Sequence, residues 1–308
     1  MVPLDISLED GEFVVRPPKR SEAKAYRMIL PLVREPAVAL VAVTGTEERV
    51  VAAAALTKTS RTKPPVGPGI AIHVIAPCRR KGIGRALLSA LKQAARQQQA
   101  EALYAVQKVD AGRMEEQGWQ WLGFQPIETV VYHELPLAGI EPRLGPLLEW
   151  MKQQGWIPDN AEIISLCDAD HNAVVALHIQ VIGGQRVVLM RKLRGEGLGA
   201  YHPVYSRVLL VDGDVVGCIL AHRESKDVAV VDANILHPDV RGGWANLWLK
   251  LEATRGALEL GIEKFIYNTF DHYADTRIFT EKLGGVETRT TLLMCCHLDV
   301  PNQTDETE

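Results

Sequence analysis

The stretch Arg79-Arg80-Lys81-Gly82-Ile83-Gly84 decides how the chain folds. An apolar run over residues 70–76 precedes it, and a pattern typical of an amphipathic helix begins at Ile83. A short basic turn between a strand and a helix directs several backbone N–H groups to one point, at the positive end of the helix dipole. Because Gly82 and Gly84 have no Cβ atom, a ligand can come close to the backbone. The stretch therefore predicts an anion site that suits a phosphate or a pyrophosphate.

Two common phosphate motifs are excluded for this turn. The Gly-x-Gly-x-x-Gly fingerprint fails because Leu87 stands at the third glycine position. A P-loop fails because the sequence contains no Gly-x-x-x-x-Gly-Lys. By itself, the six-residue stretch is equally compatible with a basic turn that only caps a core helix.

Composition places the chain among ordinary globular proteins. It has 308 residues, enough for two domains, with 47% hydrophobic and 23% charged residues. The formal net charge of −4 provides no general attraction for nucleic acid. The five cysteines are scattered and form no Cys-x-x-Cys pair, which predicts reduced thiols and a cytoplasmic location. The sequence shows no signal peptide, no run long enough to span a membrane and no metal-ligand spacing, so we expect no membrane association and no metal.

The periodicity of residues 12–137 predicts the element order strand, helix, three strands, helix, strand, helix, strand. Residues 61–69 carry three prolines and two glycines and are predicted to be a loop. The last of these helices ends in Trp121-Leu122-Gly123-Phe124.

These features resemble the GNAT superfamily of N-acetyltransferases. The opening stretch matches the Arg/Gln-x-x-Gly-x-Gly/Ala pattern of that family, in which the turn holds the pyrophosphate of acetyl-coenzyme A. The element order is that of the GNAT fold, and the Gly123-Phe124 ending is similar to the end of the last helix in the family.

The second half of the chain repeats the landmarks of the first. Residues 236–243, Leu-His-Pro-Asp-Val-Arg-Gly-Gly, resemble the Val-x-Pro-x-x-Arg-Gly stretch of the same family. Arg241 lies 162 residues after Arg79, and Gly284 lies 161 residues after Gly123. Trp244 and Asn246, however, replace the two glycines of the pattern. The repeat predicts unequal halves, of which the first binds the cofactor.

We therefore expect an α/β (α+β) protein with tandem acyl-CoA N-acyltransferase folds. Each fold has a mixed, mostly antiparallel central sheet flanked by helices. The predicted divisions are residues 1–138 with the intact turn, a linker helix at 139–157, residues 158–300 with the degenerate turn, and a flexible tail at 301–308. Residues 183–201, rich in glycine and basic residues, are predicted to be a connector or a loop that faces the substrate.

The resemblance implies an N-acetyltransferase that moves an acetyl group from acetyl-CoA, or another acyl-CoA, to a primary amine. We expect the acceptor to be a small molecule or a protein amino group, with no nucleic acid because of the acidic balance, and the protein to be a monomer or a homodimer. The resemblance assigns cofactor contacts in the first half to the end of the strand and to the turn, namely Val74, Ile75, Arg79, Arg80, Lys81, Gly82, Ile83, Gly84 and Arg85.

The catalytic groups are less defined by the resemblance. The tyrosine that the family commonly has four residues before the glycine is Trp119 in the first half and Thr280 in the second. His73 is a candidate base, with a packed histidine as the alternative. Asp232 is a candidate base in the second half, with a strand-end carboxylate as the alternative, and Tyr273 is a candidate acid.

Two other functions stay open on the sequence alone. In the first, the chain is a catalytically degenerate sensor or interaction protein that binds CoA, which the absence of the usual tyrosine from both halves favours. Alternatively, the activity resides in the C-terminal half. We expect the acceptor to be bordered by the loops at residues 61–69 and 183–201.

Overall fold

The computed structural model describes residues 6–7, 13–33, 35–61, 65–240, 243–270 and 274–298. The strands, in chain order, are β1 (Ile6–Ser7), β2 (Phe13–Arg16), β3 (Val38–Thr44), β4 (Arg49–Arg61), β5 (Gly67–Val74), β6 (Ala102–Ala105), β7 (Val109–Asp110), β8 (Gln125–Pro136), β9 (Ala161–Ser165), β10 (Arg207–Val211), β11 (Asp214–Arg223), β12 (Val228–Leu236), β13 (Lys264–Phe270) and β14 (Val286–His297). The helices are α1 (Ala23–Ile29), α2 (Ile83–Gln97), α3 (Met114–Trp121), α4 (Ile140–Gln153), α5 (His171–Val181), α6 (Arg186–Leu193), α7 (Trp244–Glu259) and α8 (Ala274–Lys282).

The chain forms two compact units. Unit 1 comprises residues 1–129 together with residues 291–308, and unit 2 comprises residues 130–290. Each unit contains a mixed sheet with helices on its faces, which confirms the predicted fold class.

The sheet of unit 1 has the strand order β1-β2-β3-β4-β5-β6-β14. All neighbours are antiparallel except β5 and β6, which are parallel and are connected through α2. The helix α2 packs on one face of the sheet through Leu87 and Leu91, which are fully buried. The other face is covered by α1, with Tyr26 and Leu30 against the alanines of β4. Because both faces are covered, the middle of β4 is apolar without interruption.

Unit 2 repeats this pattern with the strand order β8-β13-β12-β11-β10-β9. Its one parallel pair is β12 with β13, joined through α7. Helices α4 and α7 cover one face of the sheet, and α5 and α6 cover the other. The guanidinium of Arg255 on α7 donates two hydrogen bonds to Glu141 on α4, at 2.8 and 2.6 Å.

Each unit is completed by a strand from the far half of the sequence. In unit 1, Cys295 of β14 pairs with Tyr104 of β6. In unit 2, residues 130–136 of β8 pair with β13 along its whole length. The sequence-based boundaries at residues 138 and 158 remain a prediction, and the predicted tail at 301–308 lies outside the described residues.

Two local predictions were wrong. The connector predicted at residues 183–201 contains α6, whose Leu189 and Leu193 are buried against α5 and the sheet. The predicted loop at 61–69 is shorter, since β4 extends to Arg61 and β5 begins at Gly67. Prolines and glycines at the ends of a hairpin permit this extension because Pro68 lies opposite Thr59, at an irregular part of the register.

Among the described helices, none combines the length and the apolar character that crossing a membrane requires.

We predict that Met294→Ala destabilises unit 1 although residue 294 lies near the end of the chain. Met294 is fully buried in the cluster around α2, so the cavity lowers the free energy of unfolding of unit 1 by about 3 kcal/mol. Native-state hydrogen exchange checks this: amides of β5 and α2 exchange faster, while those of β11 and β12 are unchanged. If only the amides of β11 and β12 exchanged faster, the assignment of Met294 and β14 to unit 1 would be contradicted.

Candidate functional site

The basic turn of unit 1 is fixed by its own hydrogen bonds. Cys78 N donates to Ile75 O at 2.9 Å, and the Nε of Arg79 donates to Val74 O, also at 2.9 Å. Two residues of the turn adopt positive φ, Arg80 at 62° and Gly82 at 81°. These contacts fold the chain back so that α2 begins beside the end of β5.

The first turn of α2 offers free backbone donors. No side chain caps the helix at Gly82, and the first helical hydrogen bond runs from Ala86 N to Gly82 O at 3.0 Å. The N–H groups of residues 83–85 therefore have no partner within the helix. A Cβ at Gly82 would meet nothing within 4 Å, so the space in front of this turn is open.

The charge around this turn matches the open donors. Four basic side chains are exposed there, namely Arg79, Arg80, Lys81 and Arg85. Positive side chains and the helix dipole act in the same direction, so the turn suits a phosphate group. The residues present therefore fit the pyrophosphate of a coenzyme A.

Beside the turn, β5 and β6 part. Their parallel pairing covers Gly69 and Ile70, and Val106 N donates to Ile70 O at 3.0 Å. Backbone groups of a strand alternate in direction, so those of Ile72 and Val74 point to the same side as those of Ile70. In the described part of the chain, β6 pairs with neither of them. The edge of β5 is thus open from Ile72 onward, apart from the bond of Arg79 to Val74 O.

A cleft of about 460 Å³ lies on the face of unit 1 that α1 covers, where β5 and β6 part. Its walls are residues 28–33 at the end of α1 and after it, residues 70–73 and 75 of β5 and its end, and Trp119 of α3. The polar side chains among its lining residues are His73, Gln107 and Glu115. The cleft can therefore hold a small molecule beside the open edge of β5.

The predicted base His73 lies in this cleft. Its neighbour Ala71 packs with the α1 cluster, whereas Ile72 packs with the α2 cluster, so odd-numbered side chains of β5 face α1. His73 is exposed there, which places its imidazole within the cleft rather than in the core.

Two aromatic residues near the cleft, Trp119 and Tyr104, provide no free hydroxyl. Trp119 packs edge-on against Phe124, with ring centroids 4.7 Å apart. Tyr104 donates its hydroxyl proton to Pro65 O, and burial raises its pKa to about 12. Neither residue therefore supplies a proton to a leaving group.

Asp232 lies in unit 2, at an irregular position of β12 opposite β11. Its Oδ2 accepts a hydrogen bond from Lys192 Nζ at 2.8 Å and is 3.3 Å from Nδ1 of His222. Tyr201 is buried beside it. The pKa of this tyrosine is raised, mainly by its burial and secondly by the Asp232 carboxylate. The carboxylate is thus held in a polar cluster of four side chains.

The second turn differs from the first. Gly243 has φ 66° and precedes Trp244, the first residue of α7. Asn234 of β12 donates to Asn246 in the first turn of α7 at 2.9 Å. The predicted residues Arg241, Gly242 and Tyr273 lie outside the described residues.

Sequence reasoning missed several residues of both units. Glu115 and the wall at residues 28–33 gave no motif, because a cleft wall is recognised only from tertiary contacts. Lys192 was hidden in the supposed connector, although the spacing of Leu189 and Leu193 is a helical signal. In the described ranges, no group of three or more metal-ligating side chains occurs.

Comparison with known proteins agrees with the geometry. The model of the acetyltransferase (GNAT) family matches residues 7–116. A GCN5-related N-acetyltransferase from Sphaerobacter thermophilus has a TM-score of 0.56 at 13% identity, with 95% of this chain and 97% of that chain covered. A tandem GNAT protein from the clavulanic acid biosynthesis pathway has a TM-score of 0.51 at 17% identity, covering 92% and 90%. A GCN5-related N-acetyltransferase from Anabaena variabilis has a TM-score of 0.57 at 12% identity, covering 94% and 73%.

No curated protein matches the chain in sequence. The first part of the chain matches the GNAT family model, and nearly its whole length has the fold of solved GNAT structures, which confirms the predicted resemblance. Proteins of this family are acyl-CoA-dependent transferases in general.

We predict that the two glycines of the turn respond to alanine in opposite directions. Gly82→Ala forces a Cβ onto a residue at φ 81° and lowers stability by about 1 kcal/mol. Gly84→Ala meets only Val74 Cγ2 at an ordinary 3.8 Å. As a helical residue it raises stability by about 0.5–1 kcal/mol. Urea unfolding of both variants checks this, and a shift of the same sign in both would contradict the turn geometry.

We also predict that the Lys192–Asp232 ion pair stabilises unit 2 by about 1 kcal/mol, because both side chains are only about a quarter exposed, at 28% and 26%. A double-mutant cycle with Lys192→Met and Asp232→Asn measures this coupling. The Arg277–Glu287 pair, at 44% and 46% exposure, is the matched control and is expected to give a smaller coupling. Equal coupling in the two pairs would contradict the role of burial.

Proposed function

We propose that the protein is an N-acetyltransferase that uses acetyl-CoA, or another acyl-CoA, and that unit 1 binds this cosubstrate. The observation that carries the proposal is the uncapped start of α2 behind Gly82, next to the open edge of β5. Four exposed basic side chains surround these donors. A helix start of this kind is suited to an anion, because its N–H groups and its dipole both favour negative charge.

The contacts of the cosubstrate follow from the two parts of this site. The N–H groups of residues 83–85 and the basic side chains of the turn bind the pyrophosphate. The amide-bearing arm of coenzyme A then pairs with the open backbone of β5 at Ile72 and at the N–H of Val74, as an added strand would, and continues past Ile75. The Val74 carbonyl oxygen already accepts a hydrogen bond from Arg79. This arrangement directs the thioester to the point where β5 and β6 part.

The amine is bound on the other side of this opening, in the cleft beside His73. We assign His73 as the base that accepts a proton from the amine, directly or through one water. The transfer forms one amide bond and breaks the thioester bond, and the released thiolate takes a proton from solvent. Holding the two reactants at one opening supplies much of the rate, since it removes the entropy cost of their encounter.

The second unit is the alternative location. There Asp232 would act as base and Tyr273 as acid, but Lys192 already neutralises Asp232. For this reason we place the chemistry in unit 1. A sensor that binds CoA without transfer is the second candidate function, and it is favoured by Trp119, which has no hydroxyl where the family commonly has tyrosine. A cytoplasmic location and a monomeric or homodimeric state remain predictions.

We predict that Gly84→Glu weakens binding of acetyl-CoA at least tenfold. The new carboxylate would stand in the anion site, where it repels the pyrophosphate, while its Cβ has room. Isothermal titration calorimetry measures the affinity. Gly139→Glu adds the same charge at the start of α4, where a Cβ meets nothing within 4 Å, and is expected to bind like the native protein.

His73→Gln separates binding from transfer in the same experiment. It is expected to bind acetyl-CoA normally and to release thiol at least 100-fold more slowly with a primary amine, because the base is lost. Binding that Gly84→Glu leaves unchanged would refute the assignment to unit 1. Binding without thiol release by the native protein, with any amine of a broad panel, would support the sensor instead.

A further inference from the structure

On the basis of the proposed function, we infer that the acceptor amine is a small molecule whose amino group is carried on an apolar body, and that Glu115 binds its ammonium form. Such a molecule fills the cleft of unit 1 between residues 28–33 and Trp119.

The lining of the cleft is the first argument. Twelve of its fifteen lining residues are apolar, and Met28 and Leu32 are 75% and 63% exposed. These side chains are available to a ligand and become buried only when one binds. A polyhydroxylated amine would lose its hydration there, with Gln107 and His73 as the main hydrogen-bonding side chains.

The charge of the cleft favours a cationic ligand. Glu115 is the only formal charge among the lining residues at neutral pH, apart from the titratable His73. Its neighbour Glu116 is already engaged with Gly112 N at 2.6 Å and Gln120 at 2.9 Å. No ion-pair partner of Glu115 occurs in the part of the chain that the structure describes. A cationic amine therefore has a counter-charge in the cleft.

The same charge excludes another class of amine. No arginine or lysine lines the cleft, so an amino acid would place its carboxylate in an apolar site that contains a carboxylate already. The volume, about 460 Å³, lies in the usual range for small-molecule sites of roughly 300–1,000 Å³. Size and charge together favour a small, apolar, cationic amine over a protein surface.

Three amines test the substrate class with saturating acetyl-CoA. 2-Phenylethylamine represents the inferred class, phenylalanine adds only a carboxylate, and glucosamine replaces the apolar body by hydroxyl groups. We expect kcat/KM for 2-phenylethylamine to exceed that for each of the other two at least tenfold, because a buried unpaired polar or charged group weakens binding strongly.

Matched variants locate the effect. Met28→Ser is expected to raise KM for 2-phenylethylamine about fivefold, since an apolar contact is lost. Met114→Ser, also at an exposed methionine of unit 1 but outside the cleft lining, leaves KM unchanged. Glu115→Gln raises KM about fivefold as its counter-charge is removed. Glu47→Gln, in an exposed turn, is the control for charge.

The outcomes distinguish a wrong substrate class from a wrong assignment of the N-acetyltransferase activity. If kcat/KM is higher for glucosamine or phenylalanine, or if Met28→Ser leaves KM unchanged, the inferred substrate class is wrong, while the N-acetyltransferase activity is still supported. If acetyl-CoA binds without any transfer, calorimetry with 2-phenylethylamine replaces kinetics. Binding weakened by Met28→Ser then supports the apolar amine site while the transfer activity fails, and absence of binding overturns the amine site as well.

Discussion

The parting of β5 from β6 after Ile70 is the constraint on which the site of unit 1 depends. Two parallel strands need a crossover, and here α2 provides it. The buried stripe of α2, with Leu87 and Leu91 at its centre, fixes the helix on the sheet. Its positive end is thereby held next to the open edge of β5. The uncapped helix start and the open strand edge adjoin because one helix connects the two strands that separate.

The two units show how the same architecture can be used differently. Both contain one parallel pair that covers only part of the strands, β5 with β6 and β12 with β13. In unit 1, the α1 face at this point is a cleft. In unit 2, Lys192 and Tyr201 are gathered around Asp232 on β12. A carboxylate that is already paired has less capacity to accept a proton from a substrate. Unit 1 therefore has the features of a binding site, whereas the polar side chains at the corresponding place in unit 2 contact one another.

Much of this architecture could be predicted from the sequence, because the signals are local. The turn at residues 79–84 and the periodicity of α2 depend on neighbouring residues, and the repeat of landmarks compares two such short stretches. The pairing of β14 with β6 could not be predicted, since alternation in a strand does not identify its partner. The cleft wall at residues 28–33 and the ion pair of Asp232 are likewise products of tertiary contacts. The helix α6 was missed because the glycines on either side of it obscured a short apolar spacing.

The proposed function depends on the binding of acyl-CoA by unit 1 at the start of α2. Hydrogen–deuterium exchange of the full chain, with and without acetyl-CoA, tests it most directly, because the free N–H groups of the turn become donors to the ligand. If unit 1 binds the acyl-CoA, residues 82–86 and Ile72 exchange more slowly with the ligand, while residues 243–247 are unchanged. Slower exchange in residues 243–247, with residues 82–86 unaffected, would contradict it.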